Sequence, residues 1–279
     1  MTVTTVLGIE VPPALVERWR DWFAPALQPF PTRFLGGGGA GIGRSTEPAL
    51  SVRDTFHVYD DPSWTWLEQP EFEALDRTTR RALLRGRPAT GRVSDLPAPA
   101  RALAEDHAVD SRIVWWPGLL RRVGDRPLLD YVEHGLPASR HGEVPPAVWE
   151  QARVLLPGAE GRAGTFPAAS GPNCFGAVLA AVQDGSTADR SQREPIDLWL
   201  STRTRPVRGT GHDHQPGVVL VWRNREGQAE HAAVTLGGGY AFSKPSQGWF
   251  SPFIVWSVRE TIAASRFQGG MLSRHAVVA

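Results

Sequence analysis

Three short apolar runs near the C-terminus, separated by turn residues, constrain the fold of this chain more than any other feature. Residues 218–222 form a β-branched run that predicts a strand, and residues 224–227 carry turn chemistry. Residues 230–236 predict a second strand. Three consecutive glycines, 237–239, then turn the chain into a third strand over residues 240–244. Because such short turns join antiparallel neighbours, the sequence predicts an antiparallel meander.

A fourth strand is predicted over residues 253–258, and residues 259–265 predict a closing helix. A further helix is predicted upstream of the meander, over residues 175–182, which are rich in alanine and leucine and contain no breaker. Helices and an antiparallel sheet in one segment are typical of an α+β fold.

The only cysteine of the chain, Cys174, lies at the start of that upstream helix, directly after Gly171, Pro172 and Asn173. The free backbone N–H groups and the dipole of a helix N-terminus stabilise an anion. We therefore expect the thiol pKa to be lowered and the same N–H groups to hold the oxyanion of a tetrahedral intermediate. The alternative is that Cys174 is a small buried hydrophobic residue, as free cysteines usually are.

His231 lies early in the second strand of the meander. A cysteine that opens a helix, followed by a histidine on a strand, is a layout typical of a nucleophile and its general base. A single histidine on a strand is more often structural, and spacing alone does not show that the two side chains meet.

From about residue 165 to the C-terminus the sequence resembles the NlpC/P60-type cysteine hydrolases, a branch of the papain-like superfamily. The resemblance is carried by residues 231–239, His-Ala-Ala-Val-Thr-Leu-Gly-Gly-Gly, and by the cysteine at a helix start. It implies an antiparallel sheet with a Cys-bearing helix, Cys174 as the nucleophile and His231 as the general base. The family commonly has Asp-Cys-Ser-Gly where this chain has Asn-Cys-Phe-Gly at residues 173–176.

The family also has a polar third residue that orients the histidine, and the resemblance places it at Ser243. The residues themselves leave two hairpin registers open. A three-residue loop pairs Ala233 with Ser243, whereas a two-residue turn pairs Ala233 with Lys244. A serine hydroxyl can accept a hydrogen bond from the imidazole, but the ammonium of Lys244 cannot. We expect Ser243 in the orienting position, with a weaker role than an aspartate or asparagine would have.

The N-terminal half has a different pattern. Residues 1–157 are predicted to form a mainly helical region, and residues 158–279 the NlpC/P60-like catalytic domain. Residues 52–59 are predicted as a short extended segment. Helices of the N-terminal region are predicted at residues 14–24, 71–84, 97–106, 128–134 and 147–156.

Composition narrows the partners and the compartment. The 279 residues include 30 basic and 29 acidic side chains, so the formal net charge is +1 and nothing indicates a nucleic-acid or membrane surface. Neither a signal peptide nor a membrane-spanning run is recognisable. A single cysteine excludes an internal disulfide and fits a reducing compartment. The sequence therefore predicts a cytoplasmic protein and leaves its oligomeric state open.

Together these features predict a cytoplasmic thiol-dependent amide or ester hydrolase that acts through a Cys–His acyl-enzyme on a small peptide, amide or ester. The alternatives are an acyltransferase or amide-forming enzyme of small-molecule biosynthesis, and a non-catalytic binding protein on the same fold. No metal or organic cofactor is implied, and the His212 and His214 pair is a weak metal motif. The predicted substrate contacts are Asn173, Phe175, Lys244 and Trp249. Lys244 is also the only lysine of the chain.

Overall fold

The computed structural model describes residues 4–33, 43, 47–59, 64–87, 98–104, 107–109, 112–183 and 191–278. The strands within them are β1 (Thr4–Val6), β2 (Ile9–Val11), β3 (Leu27–Pro31), β4 (Trp64–Glu68), β5 (Ala108–Val109), β6 (Arg112–Ile113), β7 (Thr204–Val207), β8 (Pro216–Arg223), β9 (Ala229–Gly237), β10 (Tyr240–Ser243), β11 (Ile254–Ser257) and β12 (Met271–Val277). The helices are α1 (Pro13–Phe23), α2 (Leu50–Phe56), α3 (Gln69–Ala74), α4 (Arg77–Arg85), α5 (Ala98–Ala104), α6 (Pro117–Val123), α7 (Arg126–Glu133), α8 (Pro146–Ala152), α9 (Cys174–Val182), α10 (Arg193–Arg203) and α11 (Val258–Ala264).

A six-stranded antiparallel sheet dominates the C-terminal part, with the strand order β11-β10-β9-β8-β12-β7. The predicted meander forms its first four strands, so the α+β class and the antiparallel sheet are confirmed. β7, β12 and helix α10 were not predicted. β12 pairs with β8 through register partners such as Leu272 and Trp222, and it carries β7 on its other side.

The glycine hairpin between β9 and β10 combines both predicted registers. Tyr240 pairs with Gly237, which is the two-residue turn, but the register then shifts so that Ala241 pairs with Thr235. The shift restores the pairing of Ala233 with Ser243. All three turn glycines have positive φ, at 95°, 59° and 86°, a conformation that side chains with a Cβ rarely adopt.

The two faces of the sheet bury different clusters. The α9 face is formed by even-numbered residues of β9 and β10 such as Ala232, Val234 and Phe242, and it packs against α8 and α9. The α11 face carries a smaller cluster, whose members are Leu220, Trp222, Ala233, Ala241 and Val258, with Ile262 and Leu272 packed against it. Because side chains alternate along a strand, neighbouring residues of β9 belong to different faces.

The chain divides into two compact units. One contains the residues up to Val11 and those from Pro137 onward, and the other spans Pro12–Leu136. The division lies N-terminal to the predicted boundary at residues 157 and 158. The reason is that α8 supplies Trp149 and Ala152 to the cluster of the α9 face, so it belongs to the sheet-containing unit.

The Pro12–Leu136 unit contains most of the predicted N-terminal helices, with two differences. The predicted helix over residues 71–84 is two helices, α3 and α4, because the chain is extended at Leu75 and Asp76 caps α4 with its side chain. The prediction of an extended segment over residues 52–59 is wrong, since residues 50–56 form helix α2. Burial of Thr55, whose hydroxyl donates to the Ser51 carbonyl at 2.7 Å, outweighs its β-branched preference.

Among the described residues, no helix has both the length and the apolar character that crossing a membrane requires.

Candidate functional site

Cys174 is the first residue of α9, and Asn173 caps the helix. The Asn173 Oδ1 accepts hydrogen bonds from the N–H groups of Gly176 at 2.9 Å and Ser191 at 3.2 Å. Its Nδ2 donates to the Ser191 carbonyl at 2.8 Å. The capped turn directs the backbone N–H groups of Cys174 and Phe175 at the thiol, where they favour its anionic form.

The thiol is nevertheless protonated at neutral pH. Cys174 is 8% exposed, and burial raises the pKa of its thiol above the usual range. Hydrogen bonds from backbone amides, that of Ala232 first, and the charge of Lys244 oppose this rise. The lowered thiol pKa that the sequence predicted is therefore wrong for the resting structure, because loss of hydration outweighs the helix N-terminus.

The thiol lies at the point where the ladder between β9 and β10 ends. The last pair is Ala233 with Ser243, and the backbone N–H of the next residue along β9, Ala232, lowers the pKa of the Cys174 thiol. The Ala232 nitrogen is covalently bonded to the carbonyl carbon of His231. The thiol therefore lies beside the residue that directly follows the predicted general base.

The imidazole of His231 is half-buried and has two side-chain neighbours. Its ring lies 5.3 Å from the ring of Trp222, its cross-strand partner, at an angle of 50°. Its Nε2 lies 3.5 Å from the Ser243 Oγ, at the long limit of a hydrogen bond. Burial lowers the pKa of His231 to about 4, so the ring is neutral at pH 7.

The structure brings His231 and Ser243 together but separates their side chains from that of Cys174. By alternation along β9, His231 shares the α11 face with Ala233, while Cys174 packs into the α9 face beside Ala232. Within the described part of the chain, no hydrogen bond joins the thiol to the imidazole. Because Nε2 faces Ser243, the ring nitrogen left for a proton is Nδ1, the one nearer the backbone and the Ala232 amide.

Lys244, a predicted substrate contact, is fully buried instead. Its ammonium lies 5.6 Å from the centre of the Phe253 ring, a residue of the α9-face cluster. The Nζ donates to the carbonyls of Ser246 at 2.7 Å, Gly248 at 3.3 Å and Ser251 at 2.8 Å. Lys244 therefore holds together the loop of residues 245–251, which we call the Lys244 loop.

The other predicted substrate contacts also have structural roles near Cys174. Trp249 is fully buried within the Lys244 loop, and Phe175 is 6% exposed in the α9-face cluster. Both oxygen and nitrogen of the Asn173 amide are occupied by the cap and by Ser191.

The predicted weak metal motif is arranged differently from a metal site. Between the two histidines, Asp213 accepts two hydrogen bonds from Arg274, at 2.7 and 2.9 Å, and His212 contacts Gln215 at 3.2 Å. In the described residues, no group of three or more His, Cys, Asp or Glu side chains is placed to hold a metal ion.

A groove of about 630 Å³ lies beside α11, away from the thiol. Its walls include Thr210, His214 and Gly239, together with Arg259 of α11 and Arg266, which follows that helix. Cys174, His231 and Ser243 do not line it. The groove has the size of a ligand cleft, but it contains none of the residues proposed for thiol chemistry.

Two features of the site were missed from the sequence. Trp222 packs on His231 because a bulge at Glu230 shifts the register between β8 and β9, and no residue pattern announces that bulge. The second is the contact between the Lys244 loop and the chain before α9. Gly171 N–H donates to the Gln247 carbonyl at 3.0 Å, and Trp249 N–H to the Ser170 Oγ at 3.0 Å.

No protein-family model, no curated protein and no solved structure matches the chain.

Proposed function

We propose that the protein is a thiol-dependent acyl hydrolase or acyl transferase of papain-like, NlpC/P60-type organisation, with Cys174 as the nucleophile and His231 as the general base. One observation carries the proposal. The only thiol of the chain lies at a helix N-terminus, where backbone amides, that of Ala232 first, lower its pKa against the effect of burial. Ala232 follows His231, whose Nε2 lies 3.5 Å from the Ser243 Oγ. Thiol, imidazole and hydroxyl in this order are the parts of a cysteine acyl-transfer site.

The resting protonation states fit a neutral thiol–imidazole pair. Burial raises the pKa of Cys174 and lowers the pKa of His231, so neither group is charged at neutral pH. A neutral imidazole can accept a proton at Nδ1, while Nε2–H donates to Ser243. The proton then leaves the thiol as sulfur attacks, rather than beforehand. This differs from a preformed thiolate–imidazolium pair and makes the pH profile of the enzyme a diagnostic feature.

The reaction would proceed in two balanced steps. Sγ forms a bond to the substrate carbonyl carbon, the thiol proton moves to His231 Nδ1, and the amides of Cys174 and Phe175 hold the oxyanion. Collapse of the intermediate breaks the bond to the leaving alcohol or amine, which takes the proton from Nδ1. Water or an acceptor amine then attacks the thioester, its proton passes to Nδ1, and this proton returns to Sγ when the acyl group leaves.

The thiol and the imidazole lie on different faces of the sheet, so the first step requires a movement that brings them together. The imidazole leaves β9 on the α11 face and the thiol lies at the strand edge by Ala232, so rotation of the His231 side chain must bring Nδ1 to Sγ. Catalytic hydrogen bonds are often long before a substrate is bound. The end of the β9–β10 ladder at Ala233 leaves the edge open at this point.

The test uses p-nitrophenyl acetate as an acyl donor and intact-protein mass spectrometry as the readout. We expect one acetyl group on the wild-type chain and a burst of p-nitrophenolate, and neither in Cys174→Ala. His231→Gln should abolish the burst, while His275→Gln should keep it. His275 is the matched control, since it too is a strand histidine with a serine neighbour, Ser273 Oγ at 3.2 Å, and a pKa that burial lowers. Acetylation of the wild type no faster than of Cys174→Ala would refute the proposal.

One observation favours the non-catalytic alternative, namely that Cys174 is 8% exposed. A thiol that only packs would react slowly with every electrophile, small or large, and would gain nothing from His231. The comparison of His231→Gln with His275→Gln separates the two readings, because only a catalytic pair makes acetylation depend on one histidine and not the other.

A further inference from the structure

We infer that Lys244 is a positioning residue for Cys174. Its buried ammonium supplies positive charge beside the thiolate, and through the Lys244 loop it fixes the segment that leads into α9. This inference rests on the proposed function of Cys174, and it assigns Lys244 a role other than the substrate contact that the sequence predicted.

The hydrogen bonds of Lys244 define its charge state. Three backbone carbonyls accept from Nζ, at 2.7, 2.8 and 3.3 Å. Three acceptors require three N–H donors, which the ammonium has and the neutral amine lacks. The side chain is therefore a buried positive charge, one that the carbonyl dipoles of its own loop stabilise in place of water.

The register of the sheet places this charge on the same side as the thiol. Ser243 pairs with Ala233, so Lys244, the next residue, is at the position opposite Ala232, whose amide lowers the pKa of Cys174. Lys244 also lies over Phe253, which stacks on Phe242 at 6.1 Å in the α9-face cluster. Ser243, the last residue of β10, thus faces His231, and Lys244, the residue after the strand, faces the surroundings of Cys174.

The electrostatic consequence follows from burial. A positive charge in a poorly hydrated surrounding favours a nearby anion more strongly than the same charge in water does. Lys244 accordingly lowers the pKa of the Cys174 thiol, against the larger rise that burial causes. During attack this charge, together with the backbone amides, stabilises the negative charge that develops on sulfur.

The Lys244 loop also makes a mechanical connection. Gly171 N–H donates to the Gln247 carbonyl and Trp249 N–H to the Ser170 Oγ, each at 3.0 Å. Within the loop, Ser246 N–H donates to the Ser251 Oγ at 3.0 Å. The Lys244 loop is therefore hydrogen bonded to Ser170 and Gly171, the two residues before the Pro172–Asn173 segment that leads into α9.

The first experiment measures iodoacetamide alkylation of Cys174, the only thiol, as a function of pH in the folded protein. We expect Lys244→Met to raise the thiol pKa and slow alkylation severalfold at a fixed pH below that pKa, because a smaller fraction of the thiol is then ionised. The control is Arg87→Met, which removes a buried cation of the other unit that bonds Gln28 at 2.9 Å. Arg87→Met should alkylate at the wild-type rate. A folded Lys244→Met that also alkylates at the wild-type rate would overturn the inference.

A second experiment avoids the risk that Lys244→Met does not fold. Because the chain has one lysine, labelling with ¹⁵N,¹³C-lysine gives a single Nζ–Cε signal in the wild-type protein. By reciprocity, deprotonation of Cys174 must perturb Lys244 as much as Lys244 perturbs the thiol. We expect the lysine signal to shift with the thiol titration and the shift to vanish in Cys174→Ser. An unchanged signal would overturn the inference. Neither readout needs a substrate. The inference about Lys244 can therefore hold if the acyl-transfer proposal fails, and it can fail if that proposal holds.

Discussion

The two faces of the β9–β10 strand pair differ in the size of the core that they bury and in the charged or titratable groups that they carry. The α9 face packs two helices against the sheet and buries Cys174, together with the fully buried Lys244 behind three carbonyl acceptors. The α11 face buries a smaller cluster and carries half-buried His231 beside Trp222 and Ser243. The ammonium of Lys244 can be buried because three carbonyls of its loop replace water. Among the residues that the structure describes, the imidazole of His231 lacks carbonyl acceptors of this kind, and it is neutral. The α9 face thus carries the core and a fixed charge, and the α11 face carries the group that can titrate.

The largest expected effect is on the stability that the α9 face provides. Phe242→Ala removes a fully buried ring stacked on Phe253, and we expect a loss of about 3–5 kcal/mol in the free energy of unfolding. Ile262→Ala, on half-buried α11, should cost only about 1 kcal/mol because the removed methyl groups are partly hydrated already. Urea unfolding measures both. Equal losses at the two positions would show that the faces do not differ as cores.

The next effect concerns activity on the α11 face. His231→Gln keeps a polar side chain but removes the proton acceptor, so we expect the acylation rate to fall by about a hundredfold or more. Stopped-flow release of p-nitrophenolate measures it. His275→Gln, on β12 with a similar serine neighbour, should leave the rate within about twofold of the wild type, since ordinary surface substitutions change little. A comparable loss in both variants would point to general destabilisation instead of general-base catalysis.

The same histidine should make stability depend on acid. The folded pKa of His231 is about 4 and its ordinary value is 6.5, so the unfolded chain binds more protons between these two values. Stability from this group is complete above about pH 6.5 and is lost progressively as pH falls towards 4. Chemical unfolding at a series of pH values should show a smaller acid loss for His231→Gln than for the wild type. Parallel curves for the two proteins would contradict the buried neutral imidazole.

Much of the fold follows from local pattern. The β-branched runs and the breakers before Cys174 are recognised from neighbouring residues, and the meander and helix α9 were predicted within one or two positions. Strand β12 was not predicted, because it contains few β-branched residues. It becomes a strand by pairing with β8 and β7. The helix α2 shows the same dominance of tertiary contacts over local preference.

The site was predicted less completely than the fold, for two physical reasons. The pKa of Cys174 depends on two opposing effects, a helix N-terminus that the sequence shows and burial that it does not. The surroundings of His231 depend on register, which two bulges set, one at Glu230 and one beside Leu236. A one-residue shift exchanges the faces of Ser243 and Lys244, so the residues alone could not separate their roles.

The smallest effect expected is that of Ser243→Ala. The Ser243 Oγ lies 3.5 Å from His231 Nε2, a long contact that orients the ring weakly, and a hydroxyl gives an imidazolium no opposing charge. Loss of the hydroxyl should therefore lower the acylation rate by less than the roughly hundredfold expected for losing the base. Ser273→Ala, which removes the hydroxyl beside His275, is the matched control and should leave the rate unchanged. Ser243→Asn, which offers a stronger acceptor at the same position, should restore or exceed the wild-type rate if orientation is the role of Ser243. A rate in Ser243→Ala as low as that of His231→Gln would mean that the hydroxyl takes part in proton transfer, a larger role than orientation of the ring.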